Sequence, residues 1–240
     1  MSAQIVTLSF FRFRGWREKL WAFAQMGLAR RAIRGLPGLG FFKLMGGGTG
    51  EGFTPVPDTG LVAILTTWPD LEAAEAAVRR SDVFGRYRAR AAEHWHVHLA
   101  TTSARGAWSR KVPFHGVADS GAGPIAALTR ATIRPVILLK FWRRVPNISA
   151  AIGADENVIF KQGVGEVPWL HQVTFSIWPD AESMARFARA DGPHARAIKA
   201  VREGDWFSEE LYARFRVVAS EGSWGGVDPL AAYRLTLAAE

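Results

Sequence analysis

A chain of 240 residues with 48% hydrophobic side chains can fill one large core or two fused small ones, which excludes a disordered or fibrous protein. It holds no cysteine, so disulfides, zinc–thiolate and iron–sulfur centres and thiol nucleophiles are excluded, as suits a reducing compartment. Thirty Lys and Arg against 22 Asp and Glu leave a formal charge of +8, which favours an anionic partner, but no nucleic-acid module accompanies it and no nucleic acid is expected.

In chain order the first element is the apolar strand 5–13, IVTLSFFRF, entered without signal-peptide anatomy. Helix 16–33 follows, then a Gly-rich turn with a short strand within 39–56 and a strand over 60–67. That strand ends at Trp68-Pro69-Asp70, where proline stops the strand and aspartate can accept hydrogen bonds from the first N–H groups of helix 70–92. Strand 94–103 completes the half. After a linker at 118–123 come strand 124–133, helix 134–152, strands 157–164 and 171–178, helix 180–207 behind a second Trp178-Pro179-Asp180, and strand 210–220.

The second series repeats the first. Gly60–Arg79 is echoed by Val173–Arg189, Glu93–Trp108 by Glu209–Trp224, and strand 5–13 by strand 124–133. Each half reads β-α-β-β-α-β, the ferredoxin-like order, which leaves one sheet face bare. The expected fold is therefore α+β: two tandem ferredoxin-like (βαββαβ) repeats packed as an intrachain dimeric α/β-barrel-like domain with a cavity between the bare faces. The expected boundaries are 1–117 for the first repeat, 118–123 for the linker, 124–226 for the second repeat and 227–240 for a tail.

Several residue groups could carry chemistry. Asp191-Gly192-Pro193-His194 reads as a helix start, with Pro near the first helical position and His194, Ile198 and Val201 on one face. The positive end of the helix dipole disfavours imidazolium there, which suits a metal or haem-iron ligand; a structural role is the alternative reading. His94, His96 and His98 share one face of a strand, but they span about 13 Å at 3.2–3.4 Å per residue, too far for one ion without a bend; a wet cavity wall or an exposed edge is the expectation. The string 46–53, GGGTGEGF, lacks the Lys-Ser/Thr of a P-loop, so it and its counterpart 163–167 read as tight turns beside a cavity. No hydrolase signature is present. Basic residues interleave with aromatics in 15–35 and 134–145, segments that could lie on an anionic membrane surface or form solvated helix faces. Ten Trp and fifteen Phe suit a core, and also an apolar ligand in a cavity.

The strings KLMGGGTGEGFTP (43–55), PIAALTRATI (124–133), FKQGVGEVP (160–168), QVTFSIWPDA (172–181), GPHARAIKAVR (192–202) and WFSEELYARF (206–215) resemble the spheroidene monooxygenase family over nearly the whole chain. The resemblance implies an oxidoreductase that contains haem b, uses O2 and an external electron-donor protein, and oxidises an acyclic carotenoid at C-2 through a hydroxyl to a ketone. It makes His194 the leading iron ligand. Arg130, Arg214 and Lys161 become candidates to pair with haem propionates. It implies a cytoplasmic protein, with a peripheral place at the inner membrane as an option. Two rival readings keep the fold: a haem enzyme with a peroxidase- or dehydratase-like reaction, in which His171 and the histidine strand would line a distal pocket, or a non-catalytic carrier of haem or apolar ligands.

Overall fold

Period-2 alternation along the strands and a Trp-Pro-Asp corner used twice set the frame of the molecule. The computed structural model describes residues 3–49, 54, 56–116, 123–143, 157–189 and 204–233. The first half comprises β1 (Ile5–Arg12), α1 (Trp16–Arg34), β2 (Phe42–Gly48), β3 (Pro57–Trp68), α2 (Leu71–Arg80), α3 (Asp82–Arg90) and β4 (Glu93–Gly106). The second comprises β5 (Ile125–Ile133), a 3-10 turn (Pro135–Ile137) running into helical residues 138–143, β6 (Phe160–Gly165), β7 (His171–Trp178), α4 (Ala181–Arg189) and β8 (Phe207–Gly222).

All eight strands form one closed antiparallel barrel in the order β1-β3-β2-β6-β7-β5-β8-β4. Within it the order β4-β1-β3-β2 of the first half recurs as β8-β5-β7-β6 in the second. The halves join along two seams of unequal length. β4 and β8 pair from Trp95↔Gly222 to Gly106↔Leu211, whereas the described pairing of β2 with β6 is confined to Gly46↔Gly165 and Gly47↔Val164. Glycine is required at this short seam: a Cβ on Gly47 would stand 2.2 Å from Leu61 Cδ2, and one on Gly165 would stand 2.2 Å from the His171 carbonyl oxygen.

The two Trp-Pro-Asp corners are built alike. Asp70 accepts from the Ala73 amide at 2.8 Å and Asp180 from the Ser183 amide at 2.7 Å, so each caps the helix that follows. Each tryptophan is buried and donates its indole N–H to a hydroxyl two residues back, Trp68 to Thr66 and Trp178 to Ser176, both at 3.0 Å.

The barrel interior corrects the sequence expectation of a cavity. It is filled: Phe10 packs against Trp95, Phe160 and Phe175 with ring centroids 5.2–6.1 Å apart, and Val6, Leu8, Leu65, Leu128 and Ile177 close the rest. Large aromatic side chains on inward positions of both halves consume the space that two bare sheets would otherwise enclose. Two element boundaries also differ. Helix 70–92 is two helices, because Ser81 is extended (ψ 143°) and its hydroxyl donates to the Ala77 carbonyl at 2.6 Å. Residues 207–209, expected to end a helix and begin a loop, already belong to β8. The glycines 46–48 and 163–165, expected as turns, lie in β2 and β6.

Candidate functional site

With the interior filled, the described cavity lies outside the barrel, over the short β2–β6 seam. It holds about 450 Å³ between α1, the Gly46–Gly48 strand, the 165–169 loop and Trp142 of helical residues 138–143. Phe23 and Met26 of α1 form one wall, Trp142 and Trp169 the other, and the glycine backbone the floor. A Cβ placed on Gly46 meets nothing within 4 Å, so open space stands directly above that residue. Thus the two Gly-rich strings do border a cavity, as their sequence suggested, where Gly46 and Gly47 pair with Gly165 and Val164. The tryptophan Trp142 donates its indole N–H to the Trp169 carbonyl at 3.2 Å, which fixes that wall. Mainly apolar walls with few polar groups favour an apolar ligand.

Beside the pocket, from Gln172 onward, runs the outer face of the second half. Its strand register lines up Lys161, Ser176, Ala127 and Arg214 in one cross-strand row over β6, β7, β5 and β8. The neighbouring row is Gly163, Thr174, Thr129 and Tyr212. These are small side chains at the centre of a sheet with cations at its margins, and Ala127, Thr129 and Thr174 remain half-buried. The equivalent face of the first half is different: α1 and α3 pack Ile33, Phe84 and Tyr87 onto Phe11, Leu44 and Ile64. Lys161 and Arg214 therefore share one face, at its opposite margins.

Arg130 does not join them. It sits on the inward parity of β5 with Ala126 and Leu128, is 2% exposed, and is ion-paired with Glu209. Glu209 also accepts from the Ser109 amide at 3.0 Å and the Arg110 amide at 2.7 Å. Burial pushes the Glu209 carboxyl up, but these two amides and the Arg130 guanidinium outweigh it and hold the group below the usual carboxylate range. Sequence reasoning missed the layer to which this pair belongs. Lys43 donates to Glu166 at 2.6 Å, Trp108 donates its indole N–H to the same carboxylate, and His171 Nδ1 lies 4.0 Å from it. Burial lowers the His171 pKa, against the opposing pull of Glu166. The signal was available: Lys43, Arg130, His171 and Glu209 each occupy the apolar parity of a strand, at or near its end.

His94, His96 and His98 face the helix layer. His96 and His98 line neither a wet cavity nor a free edge, whereas His94 is half-buried beside the His96 ring. His96 and His98 are buried and bond through Nδ1 to Ser9 Oγ at 2.8 Å and Thr7 Oγ1 at 3.0 Å. Burial pushes the His98 pKa down to about 4 and the His96 pKa well below its ordinary value, so both rings are neutral structural groups. Among the described residues no group of His, Cys, Asp or Glu is arranged to hold a metal ion. His194 lies outside the described residues.

The closed eight-stranded α+β barrel defines the class of protein. Solved aldoxime dehydratase has the same fold, with a TM-score of 0.62 at 12% identity over 90% of this chain and 82% of that one. A second aldoxime dehydratase structure, in complex with butyraldoxime, gives 0.60 at 10% identity over 90% of this chain and 80% of that one. No family model matches the chain. Full-length relatives are more telling: it is 49% identical to the spheroidene monooxygenase of Rhodobacter capsulatus over 230 residues, 95% of each chain. It is 50% identical to that of Cereibacter sphaeroides over 95% of this chain and 71% of the other, and 35% identical to that of Rubrivivax gelatinosus over 87% and 80%. The chain belongs to the spheroidene monooxygenase family and is an enzyme of the oxidoreductase class.

Proposed function

We propose that this protein is a haem b monooxygenase that oxidises an acyclic, spheroidene-like carotenoid at C-2, through a hydroxyl to a ketone. The observation that carries the reading is the 49% identity over 95% of both chains with a spheroidene monooxygenase. The two halves are read as tandem βαββαβ repeats, 1–117 and 124–226, with the haem on the second.

The residues in place fit such a group. The small side chains of Ala127, Thr129, Thr174 and Ser176 leave a flat floor for a macrocycle, and Lys161 and Arg214 in one row offer cations to its carboxylates. His194 is assigned as the iron ligand from its Gly-Pro-His setting at a helix start. Haem, when bound there, supplies the redox chemistry that activates O2 for C–H oxidation. The protein supplies position. The apolar pocket over the β2–β6 seam adjoins that floor at Gln172, so a polyene lying in it presents its end beside the cofactor. Each turnover inserts one oxygen atom of O2 into a C–H bond and reduces the other to water, with two electrons from an external donor protein and two protons. A second turnover at the same carbon yields a geminal diol, which loses water to give the ketone.

Two measurements test this. Purified protein supplied with hemin is expected to show a Soret band that is lost in His194→Ala, and expression in a spheroidene- or lycopene-producing host is expected to yield the 2-ketone. A protein that stays colourless with hemin overturns the haem assignment; a coloured protein that forms no ketone overturns the substrate.

A further inference from the structure

We propose that α1 and the helical segment 135–143 form a docking face for an anionic lipid bilayer, with the mouth of the seam pocket opening against it. On α1, Trp16, Leu20 and Phe23 fall at i, i+4 and i+7, one stripe of the helix, and are 71%, 61% and 73% exposed. The buried residues of the helix, Ala22, Ala29 and Ile33, lie on a different side, so this stripe is not needed for the core. On the other segment Val136 and Leu139 are 88% and 75% exposed. These are the large apolar side chains a folded chain normally hides, and the two segments that carry them meet at one pocket, which Phe23 of the first and Trp142 of the second both line.

Charge decides what covers this face. Arg30 and Arg34 continue the Trp16–Leu20–Phe23 stripe toward the helix end, and Arg17 and Arg31 stand exposed beside it; Glu18 is the single acid of α1. Lys140 and Arg143 are exposed on the second segment, which has no acid from 134 to 143. The acids at the pocket are already engaged: Asp58 accepts from the Gly60 amide at 2.8 Å and Glu166 is paired with Lys43. A second copy of the chain would bring the same cations face to face, whereas anionic headgroups neutralise them while the acyl region takes up the aromatic stripe. Among the described residues no helix is long and apolar enough to cross a membrane, so the contact is one of lying on the surface. The inference reads a surface property and stands apart from the haem assignment.

The test is co-sedimentation of the whole protein, without hemin, with vesicles of phosphatidylcholine alone and of an equimolar phosphatidylcholine–phosphatidylglycerol mixture. Binding is expected to the anionic vesicles, weakened by salt, with a blue shift of tryptophan fluorescence. The Trp16→Ser/Leu20→Ser/Phe23→Ser variant is expected to lose about tenfold or more in partition, with unchanged melting because the three side chains are exposed. Arg31→Gln/Arg34→Gln leaves the apolar stripe intact and is expected to lose severalfold, at low salt only. No binding of the native protein to anionic vesicles, or equal binding by the variants, overturns the proposal. So does native self-association abolished by the triple variant when neither binds vesicles, which would make a second copy the occupant.

Discussion

His96 and His98 show how far residue type alone can mislead. Alternating histidines on a strand suggest metal or water, yet in this fold they are neutral hydrogen-bonding spacers under the helix layer, held by Ser9 and Thr7. Their cost is pH sensitivity. Burial is the main cause of the depressed His98 pKa, aided by Arg79 and opposed by Glu221, with the folded group near 4 against an ordinary 6.5. The unfolded chain therefore binds the extra proton first as pH falls. Stability from this residue is complete above about pH 6.5 and is lost progressively down to about pH 4, by roughly 3 kcal/mol at ~1.4 kcal/mol per pKa unit. Melting temperature is expected to drop across that window, and His98→Gln, which stays neutral, is expected to flatten the drop. Arg130 teaches the converse. Its string matched the family and made it a candidate partner for a haem propionate, and its place in the Ala126–Leu128–Arg130 alternation puts it inside the barrel, paired with Glu209.

At the scale of elements, the strands and the two corners were legible because their signals are local. Alternation marks a half-buried strand, and Trp-Pro-Asp carries its own stop and cap. The caps also make a measurable claim. Asp70→Ala is expected to cost about 1 kcal/mol in urea unfolding and Asp180→Ala to destabilise in the same direction, since each removes an acceptor for a first-turn amide. The division of α2 from α3 at Ser81 was not legible: a single serine with no Gly or Pro beside it ends a helix only because its hydroxyl turns back to Ala77 and Arg88 reaches the carbonyls of Val78 and Arg79. Those partners are tertiary choices that spacing does not reveal. The same holds for the pocket walls, because nothing in the sequence ties Phe23 to Trp142.

For the whole molecule, a mixed α+β barrel was legible and the way its two halves meet was not. Two bare sheets can enclose a void or interdigitate, and the choice depends on how Phe10, Trp95, Phe160 and Phe175 fit one another. The ring they fill is closed unevenly. On one side β4 and β8 share a long ladder; on the other, the glycine strands β2 and β6 meet over two register pairs. With each backbone bond worth about 1 kcal/mol net, the described β2–β6 seam holds the ring less firmly than the β4–β8 ladder. Amide hydrogen exchange is expected to be fastest, among the barrel strands, at Gly46–Gly47 and Val164–Gly165, and slow at Val97–Ala100. Since that seam also borders the pocket lined by Phe23 and Trp142, fast exchange there would place the barrel's least secured backbone directly under its apolar chamber, with the aromatic plug and the opposite ladder as the firm remainder.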